Sequence, residues 1–143
     1  MTDLTIRRAG TEDAPAMARI VCDWEAETGW MPSIYTPEEI AGFIRDALPD
    51  REIWVIGAPV AGYLSYDPAE RRVGGLYCAR SGAGLGKALM DKVKEGRDFI
   101  WLRTHEPNEG AQRFYKREGF VEVSRHEAEP PNTVREIRME WVQ

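Results

Sequence analysis

Three alternating glycines between a strand-like run and a helix-like run constrain this chain more than any other stretch. They lie in Ser81-Gly82-Ala83-Gly84-Leu85-Gly86-Lys87. Upstream, Val73-Gly74-Gly75-Leu76-Tyr77-Cys78 reads as a strand; downstream, Leu85, Ala88, Leu89 and Val93 recur at helical spacing. A strand that feeds a helix through a tight turn belongs to a layered α/β arrangement rather than to an all-helical or all-β one. Free amides at the start of such a helix point outward, and the helix dipole favours negative charge there. Glycine lets the backbone reach positive φ and come close to a ligand. The turn therefore reads as a phosphate cradle.

Counting separates the known cradles. A P-loop requires GxxxxGK followed by Ser or Thr. Counted back from Gly86-Lys87, its first glycine falls on Ser81 and its last residue on Ala88. A dinucleotide loop requires GxGxxG, whereas the spacing here is Gly82-x-Gly84-x-Gly86, and Glu118 comes too late to be its ribose-binding acid. Both patterns fail, which disfavours an ATP-dependent enzyme and a nicotinamide enzyme alike.

The rest of the chain supplies the layers. Leu4-Thr5-Ile6-Arg7-Arg8 alternates as a half-buried strand does. Asp13 is expected to cap the next helix, with Pro15 in its first turn, and Met17, Ile20, Val21, Trp24 and Thr28 keep helical spacing until Gly29. Thr36-Pro37-Glu38-Glu39 is a capping box opening a second helix, whose expected apolar stripe is Ile40, Phe43, Ile44, Ala47 and Leu48. A hairpin follows over residues 53–56 and 60–66, then the strand before the glycines. Residues 98–104 form a strand, Asn108 can cap a helix carrying Ala111, Phe114 and Tyr115, and Gly119 is its expected C′ glycine. Residues 120–124 and 136–142 close the chain as strands, the second with Ile137, Met139 and Trp141 on one face. The order is β α α β β β α β α β β.

At 143 residues the chain is expected to be one domain, 1–143. Its net charge of −5 lacks the basic surplus of a dedicated nucleic-acid binder, so no nucleic-acid partner is expected. No apolar run approaches the roughly 20 residues that span a bilayer. Met1-Thr2-Asp3-Leu4 does not open a secretory signal. Cys22 and Cys78, with two histidines, make neither a disulfide scaffold nor a Cys/His zinc site. The expectation is a reduced, cytoplasmic protein with no metal and no membrane partner.

Asn108-Glu109-Gly110-Ala111-Gln112-Arg113-Phe114-Tyr115-Lys116-Arg117-Glu118-Gly119-Phe120 matches Asn-x-x-Ala-x-x-Phe-Tyr-x-x-x-Gly-Phe at each named position. This resembles motif B of the GNAT superfamily of N-acetyltransferases. Arg80-Ser81-Gly82-Ala83-Gly84-Leu85-Gly86-Lys87-Ala88-Leu89 resembles its motif A, in which Arg or Gln, two residues, Gly, one residue, and Gly or Ala cradle the pyrophosphate of acetyl-CoA. The glycines fall on Gly84 and Gly86. The Arg/Gln position falls on Ser81, with Arg80 one residue early. The resemblance covers the whole chain in element order and residues 73–120 in detail.

It implies a mixed, mostly antiparallel sheet of about seven strands with four helices, the GNAT-type acyl-CoA N-acyltransferase fold of the α/β (α+β) class. It implies acetyl-CoA as cosubstrate, held by Tyr77, Cys78, Ser81, Gly82, Ala83, Gly84, Leu85, Gly86, Lys87, Asn108 and Tyr115. The strand before the glycine turn is expected to splay from residues 98–104, its free backbone groups pairing with pantetheine. An amide near Cys78 is expected to polarise the thioester carbonyl. Tyr115 is implied as the general acid that protonates the departing thiolate, a role a phenol of pKa about 10 can fill. Consecutive helical residues point about 100° apart, so Phe114 is expected to pack inward while Tyr115 faces elsewhere. Asn108 can cap its helix, contact pantetheine, or both.

Some assignments stay open. Cys78 is either a small strand residue or an acyl-accepting nucleophile. Many relatives place a basic Glu on the strand before motif A; this strand has none, leaving Glu25, Glu27, His105 or water to take the amine's proton. Trp24, Trp30, Met31 and Tyr35 either line an acceptor pocket or pack helices on the sheet. The expected partner is a small-molecule or protein amine, and a homodimer is possible. The competing function is a non-catalytic acyl-CoA-binding or sensing module on the same fold.

Overall fold

Hydrophobic alternation in the strands and 3.6-residue periodicity in the helices build one sheet with helices on both faces, as the computed structural model of the chain shows. It describes residues 4–143; Met1, Thr2 and Asp3, on which the reading of the N-terminus rests, lie outside the described residues. The strands are β1 (Ile6–Arg8), β2 (Glu52–Ile56), β3 (Gly62–Asp67), β4 (Arg72–Cys78), β5 (Phe99–His105), β6 (Val121–His126) and β7 (Glu136–Val142). The helices are α1 (Ala14–Thr28), α2 (Pro37–Ala47), α3 (Leu85–Lys94) and α4 (Glu109–Arg117). The seven strands lie in the order β1-β2-β3-β4-β5-β7-β6. Every pairing is antiparallel except β4 with β5. Among the described residues no helix is long and apolar enough to cross a membrane.

Two cores flank the sheet. On one face Leu85, Leu89, Met90 and Val93 of α3 meet Leu64, Ile100, Leu102, Ile137 and Met139. Tyr115 and Phe120 complete that core from α4 and the residue before β6. On the other face Met17, Ala18 and Val21 of α1 and Ile40, Ala41 and Ile44 of α2 cover Ile53, Val55 and Tyr63. Thr36 Oγ1 accepts from the Glu39 amide at 3.1 Å, and the Thr36 amide donates to Glu39 Oε1 at 3.0 Å, which completes the capping box read from the sequence.

Three details differ from expectation. Asp13 does not cap α1 with its side chain. Its buried carboxylate instead accepts two 2.8 Å bonds from Arg7 and one from the Gly10 amide, tying β1 to the turn before α1. A bidentate guanidinium is a stronger partner than a helix-end amide. Phe43 leaves the α2 stripe: it is 51% exposed and packs edge-on to Tyr35, while Ala41 takes the place against the sheet. A short side chain lets α2 approach α1 closely. Tyr115, not Phe114, is the buried residue of α4; Phe114 is half-buried at the rim of a groove.

Candidate active site

The site begins where β4 and β5 part. They pair only at Arg72–Trp101 and Val73–Leu102. Immediately after, the register of β4 on β3 shifts between Ser65 and Tyr66, leaving Gly74 as an extra residue. Such a bulge bends its strand. The slot that opens runs from Gly74, Gly75 and Tyr77 on one side to Arg103, Thr104 and His105 on the other. Beyond the bulge, Ala79 donates to Ala61 at 2.7 Å. Because amides alternate along a strand, those of Leu76 and Cys78 point away from β3 and into the slot. The Gly74-Gly75 pair was the sequence signal for this bend, since glycine inside a strand marks a bulge or a close approach.

The slot widens into a groove of about 1380 Å³, its open mouth included, between the glycine turn and α4. Tyr77, Cys78, Ser81, Gly82, Gly84, Leu85, Gly86, Lys87, Asn108 and Tyr115 all line it; Ala83 is exposed and off the lining. The glycines do different work. Gly82 (φ 78°) and Gly84 (φ 75°) are left-handed, and Gly84 is the N-cap of α3. Gly86 needs no special φ; a Cβ there would stand 3.2 Å from Phe114 Cζ, so it lets α4 approach α3. Arg80 also lines the groove, restoring near Ser81 the cation that Ser81 does not carry. Lys87 lines the groove, well exposed, and pairs with Asp91 at 3.3 Å and with Glu118 at 3.8 Å. Asn108 Oδ1 accepts from the Ala111 amide at 3.1 Å while lining both slot and groove, so it caps α4 at the site itself. Outward amides, left-handed glycines and nearby cations fit a pyrophosphate, and the unpaired edges of β4 and β5 fit an amide-bearing arm.

At the junction of slot and groove stands Tyr115, 8% exposed. Burial, with Tyr77 and Cys78 beside it, holds its phenol well above the ordinary range, so it stays protonated. Burial pushes the Tyr77 phenol up to about 12. It also pushes the Cys78 thiol up to about 11, so that sulfur is not a thiolate near neutral pH.

On the far side of the slot lies a second cavity, of about 390 Å³ with its mouth included. His105 is in both linings. Its ring lies 5.8 Å from Trp24 and 5.3 Å from Trp30, and burial lowers its pKa, favouring neutral imidazole. Trp24 also meets Tyr77 at 5.3 Å, so it is a wall of the site and not part of the α1 core stripe. Glu25, Met31 and Tyr35 line this second cavity. Glu27 is exposed and lines none of the three cavities.

The family profile described as Acetyltransferase (GNAT) family matches residues 1–120. Among solved structures, YjaB from Escherichia coli in its apo form superposes with TM-score 0.78 at 22% identity, covering 97% of each chain. Ribosomal-protein-alanine N-acetyltransferase from Brucella melitensis gives 0.76 at 18% identity, covering 98% of this chain and 100% of that one. A putative acetyltransferase from Salmonella typhimurium, yncA, solved with its cofactor acetyl-CoA, gives 0.70 at 18% identity, covering 98% and 94%. At these identities the structures establish the fold.

Proposed function

The chain belongs to the acetyltransferase (GNAT) family, and from that premise we propose that it transfers the acetyl group of acetyl-CoA to a primary amine by direct attack in a ternary complex. The observation that carries this reading is a slot between β4 and β5 that meets an anion-fitted groove at a buried protonated phenol and shares His105 with a separate cavity.

Acetyl-CoA supplies a thioester whose carbonyl carbon takes the amine and whose sulfur leaves. The amides of Gly82 to Lys87, with Arg80, hold its pyrophosphate. The β4 edge and Asn108 align its arm, and the Cys78 amide, turned into the slot, donates to the thioester oxygen as charge grows there. Tyr115 gives its phenolic proton to the sulfur as the C–S bond breaks, and takes one back from the nitrogen that has formed the C–N bond. Burial keeps the phenol protonated before reaction but makes it the weaker acid toward a thiolate. Proton donation to sulfur is offset by the proton the phenolate takes from the far more acidic nitrogen of the new C–N bond. The high thiol pKa of Cys78 supports direct transfer over an acyl-cysteine.

Free-thiol release from acetyl-CoA in the presence of a panel of primary amines tests the reading. Saturable release with at least one amine is expected. Acetyl-CoA binding without release for any amine would assign a non-catalytic acyl-CoA-binding module instead.

A further inference from the structure

We propose that Glu25 anchors the acceptor, and that the cavity it lines takes a primary ammonium compound carrying no carboxylate or phosphate beside its amine. This rests on the transferase reading above and deepens it. Glu25 sits in the last turns of α1, and its Oε1 atom is buried with no hydrogen-bond partner. A buried carboxylate oxygen without a donor is costly to keep. It is therefore a feature to be explained by what comes to meet it.

The surroundings say what that is. Besides Glu25, the lining is Met31, Pro32, Ile34, Tyr35 and Val134, with His105, Asn132 and Thr133. It holds no lysine or arginine. Of the cations next to lining residues in sequence, Arg135 pairs with Glu106 at 3.1 Å and with Glu127 at 3.0 Å, while Arg103 faces Glu136 at 3.7 Å and lines the slot rather than this cavity. An α-amino acid or a phosphorylated amine would bring an anion beside Glu25 with nothing to neutralise it. A turn of the Glu25 side chain, which lines the cavity, brings its orphaned oxygen to an ammonium group there, whose apolar body meets the methionine, proline, isoleucine and tyrosine walls. Burial raises the Glu25 pKa, with the Ser33 hydroxyl opposing, which makes the carboxylate a better proton acceptor.

The proton balance closes. The ammonium gives one proton to the Glu25 carboxylate, and neutral His105, which lines both cavity and slot, borders the path by which the freed amine reaches the slot. The amine then forms the C–N bond while the C–S bond breaks, and Glu25 returns its proton to solvent. Other titratable groups whose charge bears on Glu25 are Tyr77 and Cys22, both protonated near neutral pH.

The test pairs leucinamide with leucine, which share a side chain and differ at the carboxyl group, on the full chain. Rates are compared at equal concentrations of neutral amine because the carboxylate also raises the amine pKa. Leucinamide binding is followed by calorimetry in the presence of CoA, and turnover by thiol release. Leucinamide is expected to be favoured over leucine by at least about a hundredfold in kcat/KM per neutral amine, because leucine sets an unpaired like charge beside Glu25. Glu25→Gln is expected to abolish measurable leucinamide binding while acetyl-CoA affinity stays unchanged. Thr133→Arg, a substitution at an exposed lining position, is expected to shift preference toward leucine. Equal use of leucine, leucinamide binding that survives Glu25→Gln, no leucinamide binding at all, or an unmoved ratio in Thr133→Arg would each overturn the inference and leave the transferase reading standing. Loss of acetyl-CoA binding by the wild-type protein would overturn both.

Discussion

Tyr115 lies on the buried face of α4, its ring 5.7 Å from Phe120, and still lines the slot between β4 and β5. Removing its hydroxyl leaves packing almost intact. Tyr115→Phe is therefore expected to lower kcat by a hundredfold or more, roughly the worth of one general acid, with acetyl-CoA affinity unchanged; steady-state thiol release and calorimetry check it. Glu25 makes a contrary prediction about stability. Its pKa is raised in the folded protein, so the fold binds a proton there more tightly than the unfolded chain does. Its ionisation therefore removes stability as pH rises above the unfolded value of 4.5. Glu25→Gln is expected to melt higher than wild type at pH 7 and to lose that advantage below pH 4.5, as thermal scans across pH would show. Tyr115 was legible in the sequence because it sits in a fixed pattern with Asn108, Ala111, Phe114, Gly119 and Phe120. Glu25 was one of several acids on a helix, since no local pattern encodes an oxygen left without a donor.

The glycine turn and the N-terminal turn carry the predictions at the scale of elements. Gly84 has open space around its Cβ direction but φ of 75°, so Gly84→Ala is expected to cost about 1 kcal/mol through backbone strain alone. Gly86→Ala meets Phe114 instead. It is expected to forgo the roughly 1 kcal/mol that Gly→Ala normally adds within a helix, and to weaken acetyl-CoA binding severalfold by displacing Phe114 at the groove. Denaturant unfolding and calorimetry on the two variants separate the cases. Asp13 ties β1 to α1, and Arg7 holds its carboxyl below the ordinary range. Its contribution is present above the unfolded value of 3.8 and fades as pH falls through the lower folded value. Asp13→Asn is expected to cost about 1–2 kcal/mol near neutral pH, half-exposed Arg7 being partly screened, and progressively less in acid. Helix starts and stops were readable where a local rule governs them, as at Thr36, Gly29 and Asn108. Asp13 and Phe43 departed from expectation because a residue six positions away, in one case, and the packing of α2, in the other, outweighed local spacing.

Across the whole molecule, groove and slot share Tyr77 and Tyr115 in their linings, and slot and second cavity share His105. The seven strands and four helices were legible from periodicity. The insertion of β7 between β5 and β6 was not, because alternation marks a strand without naming its neighbours. The resemblance carried the expectation that β4 and β5 diverge; the Gly74-Gly75 pair marks where a bend can form, and the register shows that Gly74 is the residue that bulges. The central claim is that the groove and slot are an acyl-CoA site, and calorimetric titration of the purified chain with acetyl-CoA tests it most directly. The account predicts saturable binding of acetyl-CoA and no saturable binding of ATP or NAD. Absence of binding to acetyl-CoA and to longer acyl-CoAs would contradict it and leave the glycine turn a structural junction between β4 and α3.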